Sequence, residues 1–361
     1  MCAALIENRP EDRRLLKEVE FLMRAWQISS FGIDSLEFVE RPTPSPDPGE
    51  VLVKVRAISF NYRDLLMVKG LYNPKLKFPR VPCSDGAGEV VEGGEGVTAW
   101  KPGDRVAPIF MQNWLDGALT PAKARGALGG DIDGVLAEYI VLNEAGLVRI
   151  PQHLSFQEAA TLPCAAVTAW NALAAGNLQP GATVLVQGTG GVSIFALQLA
   201  RLRGARVLGI SSSDDKLKRA ASLGLDAGLN YSDNPDWDRW ALEETAGEGV
   251  DMVVEVGGIA TLPRSIKSIR IGGTIAQVGI LSGPADLAAN IPFPIPSILH
   301  KQARLHGIYV GSRKDFEDMN KAIALTQLRP IGENFHWSQA REALTRMEEA
   351  SHFGKLVLTV A

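Results

Sequence analysis

The sequence predicts an α/β protein in which a β-rich, barrel-type unit precedes a doubly wound parallel sheet. Short β-like runs separated by turn residues fill residues 23–154, whereas strand-like and helix-like segments alternate from residue 155 onward. Such alternation is typical of a parallel sheet with helices on both faces. A glycine-rich turn lies between a strand-like and a helix-like segment at 184–200. This context makes the turn a candidate phosphate site in the second unit.

Composition and charge exclude several classes of protein. The 361 residues are enough for two ordinary domains, and the net charge of −4 favours neither nucleic acid nor an anionic lipid surface. Residues 1–22 mix acids and bases, so they predict an N-terminal extension rather than a secretory signal. No apolar run reaches the roughly 18 residues of a membrane span. The 3 cysteines lack CxxC spacing, which argues against a disulfide scaffold or a zinc ribbon and favours the cytoplasm.

The elements of the first unit are β-strands. VLVKVRAISF (51–60) alternates apolar and polar residues, as a half-buried strand does, and a proline-rich turn at 42–50 precedes it. Residues 86–108 predict two strands joined by a glycine turn, and 134–142 predict another strand.

The elements of the second unit alternate. Residues 155–176 have a helix-forming composition interrupted by Pro163. Strand-like and helix-like segments then follow at 184–187, 191–200, 206–210, 214–224, 227–231, 250–257 and 273–279. We assign 155–297 to this unit. The β-like stretches 304–312 and 354–360 flank one helix (315–327), and we expect residues 298–361 to return to the first unit.

The glycine-rich turn QGTGGVS can hold a dinucleotide. Gly188 can make the tight turn, and Gly190 lets the backbone approach a pyrophosphate at the helix N-terminus. Ser193 replaces the last glycine of the usual pattern, and a small residue there still permits close helix–strand packing. The turn residues expected at the cofactor are Gly188, Thr189, Gly190, Gly191 and Val192. The alternative is a plain strand–helix turn.

Several further motifs accompany the glycine-rich turn. They are NYRD (61–64), GLY (70–72), GAGEVVEGGEGV (86–97), KPGDRV (101–106), LPCAAVTAWNAL (162–173), SSSDDKLKRAASLGLD (211–226), Asn230–Tyr231 and HFGKLVL (352–358). Together with the turn, these motifs resemble the medium-chain dehydrogenase/reductase superfamily, closest to its zinc-free quinone oxidoreductase-like branch. The resemblance covers about residues 23–361 and implies a GroES-like catalytic domain, a Rossmann domain and an active site in the cleft between them.

The resemblance also implies that catalytic zinc is absent. Zinc-dependent relatives hold the metal with a cysteine, a histidine and a second cysteine, and these positions match Asn61, Ser84 and Cys164. One thiolate cannot replace three ligands, so Cys164 is interpreted as a buried small residue. Segment 109–133 has no cysteine for a structural zinc, and the 5 histidines show no metal-binding spacing. Without a Lewis acid, simple alcohol oxidation is disfavoured, whereas reduction of a quinone or an activated double bond remains feasible.

Asn61 and Tyr72 are the catalytic candidates that the resemblance implies. The asparagine lies beside the nicotinamide in zinc-free relatives, and a tyrosine in the GLY motif faces the same cleft. A phenol can donate a proton after hydride delivery or bind an enolate oxygen. The alternatives are a capping side chain for Asn61 and a pocket-wall aromatic for Tyr72. Arg63 and Asp64 are interpreted as a local ion pair.

Further cofactor contacts are implied by the resemblance or by position. Thr168 matches a threonine that hydrogen-bonds the nicotinamide side, unless its hydroxyl binds its own helix. Also expected at the cofactor are Tyr231, Gly257, Gly279, Ile280 and Lys355.

The end of the second strand predicts NADP(H) rather than NAD(H). Enzymes that bind NAD place an acidic residue there, about 20 residues after the glycines. Ser211 and Ser212 stand at this place, and Lys216 follows one turn later. Hydroxyls can donate to a 2′-phosphate, and the lysine adds positive charge. An alternative interpretation, which is compatible with NADP(H) binding, is that Ser213 caps the following helix and Lys216 is solvated.

We therefore expect an NADPH-dependent oxidoreductase that reduces a quinone or an α,β-unsaturated carbonyl compound without catalytic zinc. An alcohol dehydrogenase-like enzyme is one alternative. A dinucleotide-binding protein without turnover, structural or redox-sensing, is the other. The expected partners are a small-molecule substrate and a second copy of the chain. We expect a dimer because family members commonly pair through an edge strand of the Rossmann sheet. In this chain that strand corresponds to 304–310 or its neighbour 273–279.

Overall fold

The computed structural model describes residues 21–281 and 294–360, so all but the last two residues of the expected N-terminal extension lie outside it. In chain order, the strands are β1 (Leu22–Ile28), β2 (Leu36–Pro42), β3 (Glu50–Phe60), β4 (Asp85–Gly93), β5 (Arg105–Pro108), β6 (Tyr139–Asn143), β7 (Leu147–Arg149), β8 (Thr183–Gln187), β9 (Arg206–Ser211), β10 (Ala227–Asn230), β11 (Val250–Glu255), β12 (Ile269–Gln277), β13 (Arg304–Gly307), β14 (Gly332–His336) and β15 (Lys355–Thr359). The α-helices are α1 (Tyr62–Val68), α2 (Phe156–Ala159), α3 (Val167–Ala175), α4 (Gly191–Leu202), α5 (Asp214–Ala221), α6 (Trp237–Glu243), α7 (Leu262–Ser268), α8 (Ile295–Lys301), α9 (Arg313–Thr326) and α10 (Ala340–Glu348).

The barrel-type unit is built around the long strand β3. It is the centre of a seven-stranded sheet of order β14-β15-β3-β4-β5-β7, and β6 pairs with it as well. The contacts of β3 are all antiparallel, and only β14 and β15 run parallel to each other. β1 and β2 form a separate antiparallel pair against this unit. The expected β-rich first unit is confirmed.

The second unit is a six-stranded parallel sheet of order β10-β9-β8-β11-β12-β13. Numbered within the sheet, this is the order 3-2-1-4-5-6 of a doubly wound dinucleotide-binding fold, with its switch point between β8 and β11. The predicted α/β fold class is confirmed. The carboxyl ends of all six strands meet at one edge, and the glycine-rich turn lies at that edge.

The stretch 304–312 differs from the expected domain assignment. β13 pairs in parallel with β12, so it completes the nucleotide-binding sheet rather than returning to the barrel. The strands that return are β14 and β15, and β15 pairs antiparallel with β3. An apolar β-like pattern indicates a strand but does not say which sheet it joins, because that depends on contacts distant in sequence.

An apolar core joins the two units. One cluster of buried residues includes Ala57 and Ile109 of the barrel together with Val184 and Ile194 of the parallel sheet and its first helix. Around Pro163 the chain forms a π-helical turn, Leu162–Ala166, that leads into α3. This is the interruption that the proline predicts. Within the described ranges, no helix is long and apolar enough to cross a membrane.

Candidate active site

The glycine-rich turn has the geometry of a phosphate cradle. Gly188 has a φ of 69°, in the left-handed region that glycine favours. A Cβ built on Gly190 would have no atom within 4 Å, so open space faces this residue. Helix α4 begins directly afterwards, and its first N–H groups face the turn. Ser193, expected to permit close packing, donates its hydroxyl to the carbonyl of Gln187 at 2.6 Å and ties the helix to β8.

The turn is held from two sides. The amide of Gly354, beside β15, donates to the carbonyl of Thr189 at 2.9 Å, so the barrel contacts the turn directly. On the other side, Gln187 donates to the buried carboxylate of Glu255 at 2.7 Å and accepts from the backbone amide of Gly257 at 3.1 Å. The Gln187 side chain therefore fixes the end of β8 relative to the loop after β11. These contacts and the open space beside Gly190 fit a bound dinucleotide.

The end of β9 carries serines where NAD-dependent enzymes carry an acid. Ser211 is 3% exposed, and its hydroxyl accepts from the amide of Ser213 at 3.3 Å. Ser212 is exposed. The ammonium of Lys216 donates to the carbonyl of Ala350 at 2.7 Å, and burial lowers its pKa. The backbone amide of Tyr231 donates to the carbonyl of Ser211 at 2.9 Å, which places Tyr231 beside these residues.

The remaining expected cofactor residues lie along the sheet edge or in α3. The amide of Gly279 donates to the carbonyl of Glu255 at 3.1 Å, close to the loop that contains Gly257. Ile280 is exposed, so it can contact a ligand without rearrangement. Thr168 is buried in the first turn of α3. Val192 belongs to the first turn of α4.

A buried lysine connects the turn to Asn61. Lys355 is 3% exposed, and its ammonium donates to the carbonyl of Phe60 at 2.7 Å and to Oδ1 of Asn61. A Cβ on Gly191 would stand 2.5 Å from Cδ of Lys355, so the absence of a side chain at Gly191 admits the lysine stem. Nδ2 of Asn61 is buried. Burial raises the pKa of the neighbouring Asp85, and a hydrogen bond from the Asn61 side chain is among the effects that oppose this shift.

Asp85 supplies the counter-charge for Lys355. Its carboxylate lies 3.7 Å from the ammonium, and it accepts from the hydroxyl of Ser84 at 2.8 Å and from the amide of Cys164 at 3.1 Å. Complete burial raises the pKa of Asp85, and the lysine opposes that shift. Burial also raises the pKa of the Cys164 thiol, and the charge of Asp85 adds to the effect.

These residues do not fit a catalytic zinc ion. A catalytic zinc needs three protein ligands, whereas of Asn61, Ser84 and Cys164 at the ligand positions only Cys164 can supply a thiolate. The ammonium of Lys355 binds the side chain of Asn61 at the first ligand position, and a second cation beside it would be repelled. No three His, Cys, Asp or Glu side chains in the described part of the chain are grouped so that they could hold a metal ion.

Tyr72 meets a second tyrosine across the cleft between the two units. Its hydroxyl lies 3.1 Å from that of Tyr309, which follows β13 at the edge of the parallel sheet. The guanidinium of Arg63 lies 5.4 Å from the centre of the Tyr72 ring and 4.5 Å from that of Phe110. The cleft therefore combines two phenols and a cation beside apolar ring surface. Burial raises the pKa of Tyr309, so its phenol stays protonated.

The expected ion pair of Arg63 and Asp64 is present, with 3.5 Å between Nη1 and Oδ1. Asp64 also accepts from the amide of Asn61 at 2.8 Å, at the start of α1. Burial raises the pKa of Asp64 to about 6, against the opposing effect of Arg63. The stacking of Arg63 on Tyr72 and Phe110 was not predicted, and neither were Asp85 and Tyr309. An acid within the buried stretch PCSDGAG was the one available signal for Asp85.

Comparisons with known proteins agree with this architecture. The family model for the alcohol dehydrogenase GroES-like domain matches residues 47–152, and the model for zinc-binding dehydrogenases matches residues 191–325. A zinc-type alcohol dehydrogenase-like protein of Schizosaccharomyces pombe is 44% identical, over 91% of this chain and 96% of its own. An acryloyl-coenzyme A reductase of Metallosphaera sedula is 31% identical, over 90% of this chain and 96% of its own.

A solved structure shows the same fold. An alcohol dehydrogenase from Sinorhizobium meliloti 1021 superposes with a TM-score of 0.86 and 37% sequence identity, covering 94% of this chain and 99% of that one. Three findings agree on the family: the barrel matches the GroES-like model, the parallel sheet carries the phosphate turn, and the relatives match over almost their full length. The chain belongs to the medium-chain dehydrogenase/reductase superfamily and is an NAD(P)-dependent oxidoreductase.

Proposed function

We propose that the protein uses NADPH to reduce the activated double bond of an α,β-unsaturated carbonyl compound, or a quinone, without catalytic zinc. The observation that carries this proposal is the set of residues at the zinc-ligand positions, which are Asn61, Ser84 and Cys164. The ammonium of Lys355 binds the Asn61 side chain, and the carboxylate of Asp85 accepts from the Ser84 hydroxyl and the Cys164 amide. Without a Lewis acid to acidify the hydroxyl, simple alcohol oxidation is disfavoured. In an enone or enoyl thioester, the substrate's own carbonyl group accepts the developing negative charge.

The proposed residue roles follow from this chemistry. Bound NADPH would supply a hydride, and with it two electrons, to the β-carbon of the substrate. The enolate that results takes up one proton, which Tyr72 can donate because its phenol lies in the cleft beside Tyr309. Asn61 keeps the place beside the nicotinamide that the resemblance implies, and Lys355 holds its side chain there. The acryloyl-coenzyme A reductase among the relatives acts on a substrate of this class by its name.

An acceptor panel tests the proposal. We expect NADPH oxidation with enones, enoyl thioesters such as acryloyl-coenzyme A, or quinones, and no loss of rate on treatment with a chelator. NADP⁺ reduction with simple alcohols, lost to a chelator and accompanied by one zinc per chain, would instead support the alcohol dehydrogenase alternative. Tight NADPH binding without turnover of any acceptor would support the non-catalytic alternative.

We also propose NADP(H) as the cofactor, supported by Ser211, Ser212 and Lys216 at the end of β9. Lys216→Ala removes a cation that can bind the 2′-phosphate, and a charge-assisted contact is worth roughly 1.5–3 kcal/mol. We expect NADPH affinity to fall by one to two decades, as about 1.4 kcal/mol corresponds to each decade. The NADH affinity should hardly change. Lys218→Ala is the control, because Lys218 is an exposed lysine of the same helix paired with Asp215.

Fluorescence titration of both nucleotides measures these affinities. Equal binding of NADH and NADPH by the unmodified protein would contradict the assignment. The cytoplasm remains our expected location, consistent with the free thiols of Cys83 and Cys164.

A further inference from the structure

Tyr309 lies in the cleft, but the proposed function gives it no chemical role. It follows β13 at the carboxyl edge of the parallel sheet. In a doubly wound sheet a dinucleotide crosses the switch point, so its two nucleotides lie over opposite halves of the sheet. Ser211 at the end of β9 marks the half proposed for the adenosine ribose, and β13 belongs to the other half. Tyr309 is therefore on the side of the sheet where the nicotinamide and the reacting substrate would bind.

The hydroxyl of Tyr309 meets that of Tyr72 from the opposite side of the cleft. The two oxygens are 3.1 Å apart, although one residue belongs to the barrel and the other to the parallel-sheet unit. The residues are 38% and 41% exposed, so solvent reaches both side chains. A third oxygen atom can lie about 2.7–2.8 Å from both hydroxyl oxygens at once, which is the ordinary O–H···O distance. The pair can therefore offer two donors to one acceptor atom.

We infer that Tyr309 is a second catalytic residue, which donates a hydrogen bond to the carbonyl oxygen of the substrate beside Tyr72. This inference rests on the proposed function for the identity of the acceptor. As the β-carbon accepts the hydride, the electrons of the C=C bond shift toward the carbonyl group, whose oxygen becomes an enolate oxygen. The α-carbon then takes its proton from Tyr72, and the phenolate left behind regains a proton from water. No bond to Tyr309 forms or breaks.

The surroundings favour a donor at Tyr309 and negative charge beside it. Burial raises the pKa of Tyr309, so its hydroxyl keeps the proton that it donates. The guanidinium of Arg63 lies 5.4 Å from the centre of the Tyr72 ring, and its charge opposes the rise in the pKa of Tyr309. A cation at this place stabilises an enolate oxygen as its charge develops. The cleft thus combines two donors with a positive charge.

The backbone next to Tyr309 is strained. Val310 has a φ of 57°, in the left-handed region, which is an outlier for a β-branched residue. Strain of this kind persists only where the surrounding structure fixes it, and it clusters at functional sites. The carbonyl of Val310 accepts from Nδ2 of Asn171 on α3 at 2.8 Å, and the amide of Ile308 donates to the carbonyl of Gln277 at 2.8 Å. The residues on both sides of Tyr309 are therefore held in place.

A ring contact from the barrel restrains the side chain itself. The rings of Tyr309 and Phe110 pack edge to face, with 6.0 Å between their centres and an angle of 69° between their planes. Phe110 is buried, and the guanidinium of Arg63 lies 4.5 Å from its centre. Aromatic pairs favour this geometry. The phenol of Tyr309 is thus oriented before any substrate arrives, as a preorganised donor must be.

Kinetics of Tyr309→Phe test the inference, because this variant loses the hydroxyl and keeps the ring that packs on Phe110. Loss of one preorganised donor typically lowers kcat by about 10²–10³-fold, so we expect a loss of that size with an enone. NADPH affinity should stay within about threefold of the unmodified protein. Tyr139→Phe is the control, because that tyrosine lies on the barrel strand β6 with the ammonium of Lys54 over its ring. An unaltered kcat in Tyr309→Phe would overturn the inference.

A double variant separates contact with the substrate from an effect on Tyr72. If both phenols contact the substrate, Tyr72→Phe combined with Tyr309→Phe should be slower than either single variant. A double variant no slower than Tyr72→Phe alone would show that Tyr309 only orients Tyr72. That result would also reject the direct contact.

Binding of para-nitrophenolate tests the two donors without turnover. This probe presents one anionic oxygen on a conjugated ring, and its visible absorption changes when that oxygen accepts hydrogen bonds. We expect the NADP⁺ complex of the unmodified protein and of Tyr139→Phe to bind it. Tyr309→Phe should bind it about tenfold more weakly, which corresponds to about 1.4 kcal/mol. Equal affinity in Tyr309→Phe, or no binding by the unmodified protein, would contradict the assignment of Tyr309.

The probe and the kinetics also distinguish this inference from the proposed function. Weaker para-nitrophenolate binding in Tyr309→Phe, without reduction of any enone or quinone by the unmodified protein, would support the pair of donors and reject the proposed reaction. Enone reduction with the same kcat and the same probe affinity in Tyr309→Phe would support the reaction and reject the role of Tyr309.

Discussion

At the scale of single residues, the two phenols of the cleft give the clearest prediction. Tyr72→Phe removes the hydroxyl that lies 3.1 Å from Tyr309 and leaves the ring in place. If the phenol donates the proton, kcat with enones should fall by about 10²-fold, while NADPH affinity stays unchanged. Tyr62→Phe is the control, since Tyr62 is a half-exposed tyrosine on α1. An unaltered kcat in Tyr72→Phe would make Tyr72 a wall residue.

Residue identities near a motif could be predicted, but their distant partners could not. Asn61 and the turn glycines stand in recognisable sequence contexts. Tyr309 and Tyr72 are 237 positions apart, and Lys355 and Asn61 are 294 apart. Neither contact has a local pattern, because tertiary packing alone brings these pairs together. The sequence therefore indicated Lys355 as a cofactor residue without indicating the amide that it binds.

At the scale of elements, the turn between β8 and α4 separates two effects of glycine. Gly190 has φ −77° and ψ −178°, which any residue adopts, and its Cβ position is open. Gly190→Ala should leave thermal unfolding of the nucleotide-free protein unchanged, yet weaken NADPH binding about tenfold or more, because the methyl group stands where the pyrophosphate approaches. Gly188 has φ 69°, so Gly188→Ala should lower the unfolding free energy by about 1–2 kcal/mol.

Calorimetry of both variants measures their unfolding free energy, and nucleotide titration measures their NADPH affinity. NADPH binding to Gly190→Ala with unaltered affinity would mean that the turn is only a corner of the chain.

Whether a segment forms a strand or a helix was easier to predict than which sheet each strand joins. The alternation after residue 155 correctly indicated a parallel sheet, and Pro163 correctly marked the interrupted helix. The domain division placed β13 in the returning segment 298–361, whereas the dimer expectation placed 304–310 beside 273–279 in the Rossmann sheet. The pairing of β13 with β12 agrees with the second placement.

At the scale of the whole molecule, the expected homodimer involves β13, which is the edge strand of the parallel sheet among the described residues. β13 is exposed along its length, and Leu305 on it is 49% exposed. Leu299 of the neighbouring helix α8 is 73% exposed. An exposed strand edge with leucines exposed on it and beside it invites pairing with another copy. We expect light scattering at micromolar concentration to give a dimer, and Leu305→Asp to give a monomer.

Leu325→Asp is the matched control, because Leu325 is an even more exposed leucine on α9 and should not affect assembly. A monomer for the unmodified protein would contradict the assignment of this edge as an interface.

The antiparallel pairing of β15 with β3 also has a consequence for how the molecule folds. The barrel is discontinuous, since the whole nucleotide-binding unit lies in the chain between these two strands. Closing so long a loop is slow, because its entropy is lost before the strand contacts form. We therefore expect the pairing that brings Lys355 to Asn61 to be a late folding event. A chain that has folded its parallel sheet can thus hold the phosphate turn before Lys355 contacts Asn61.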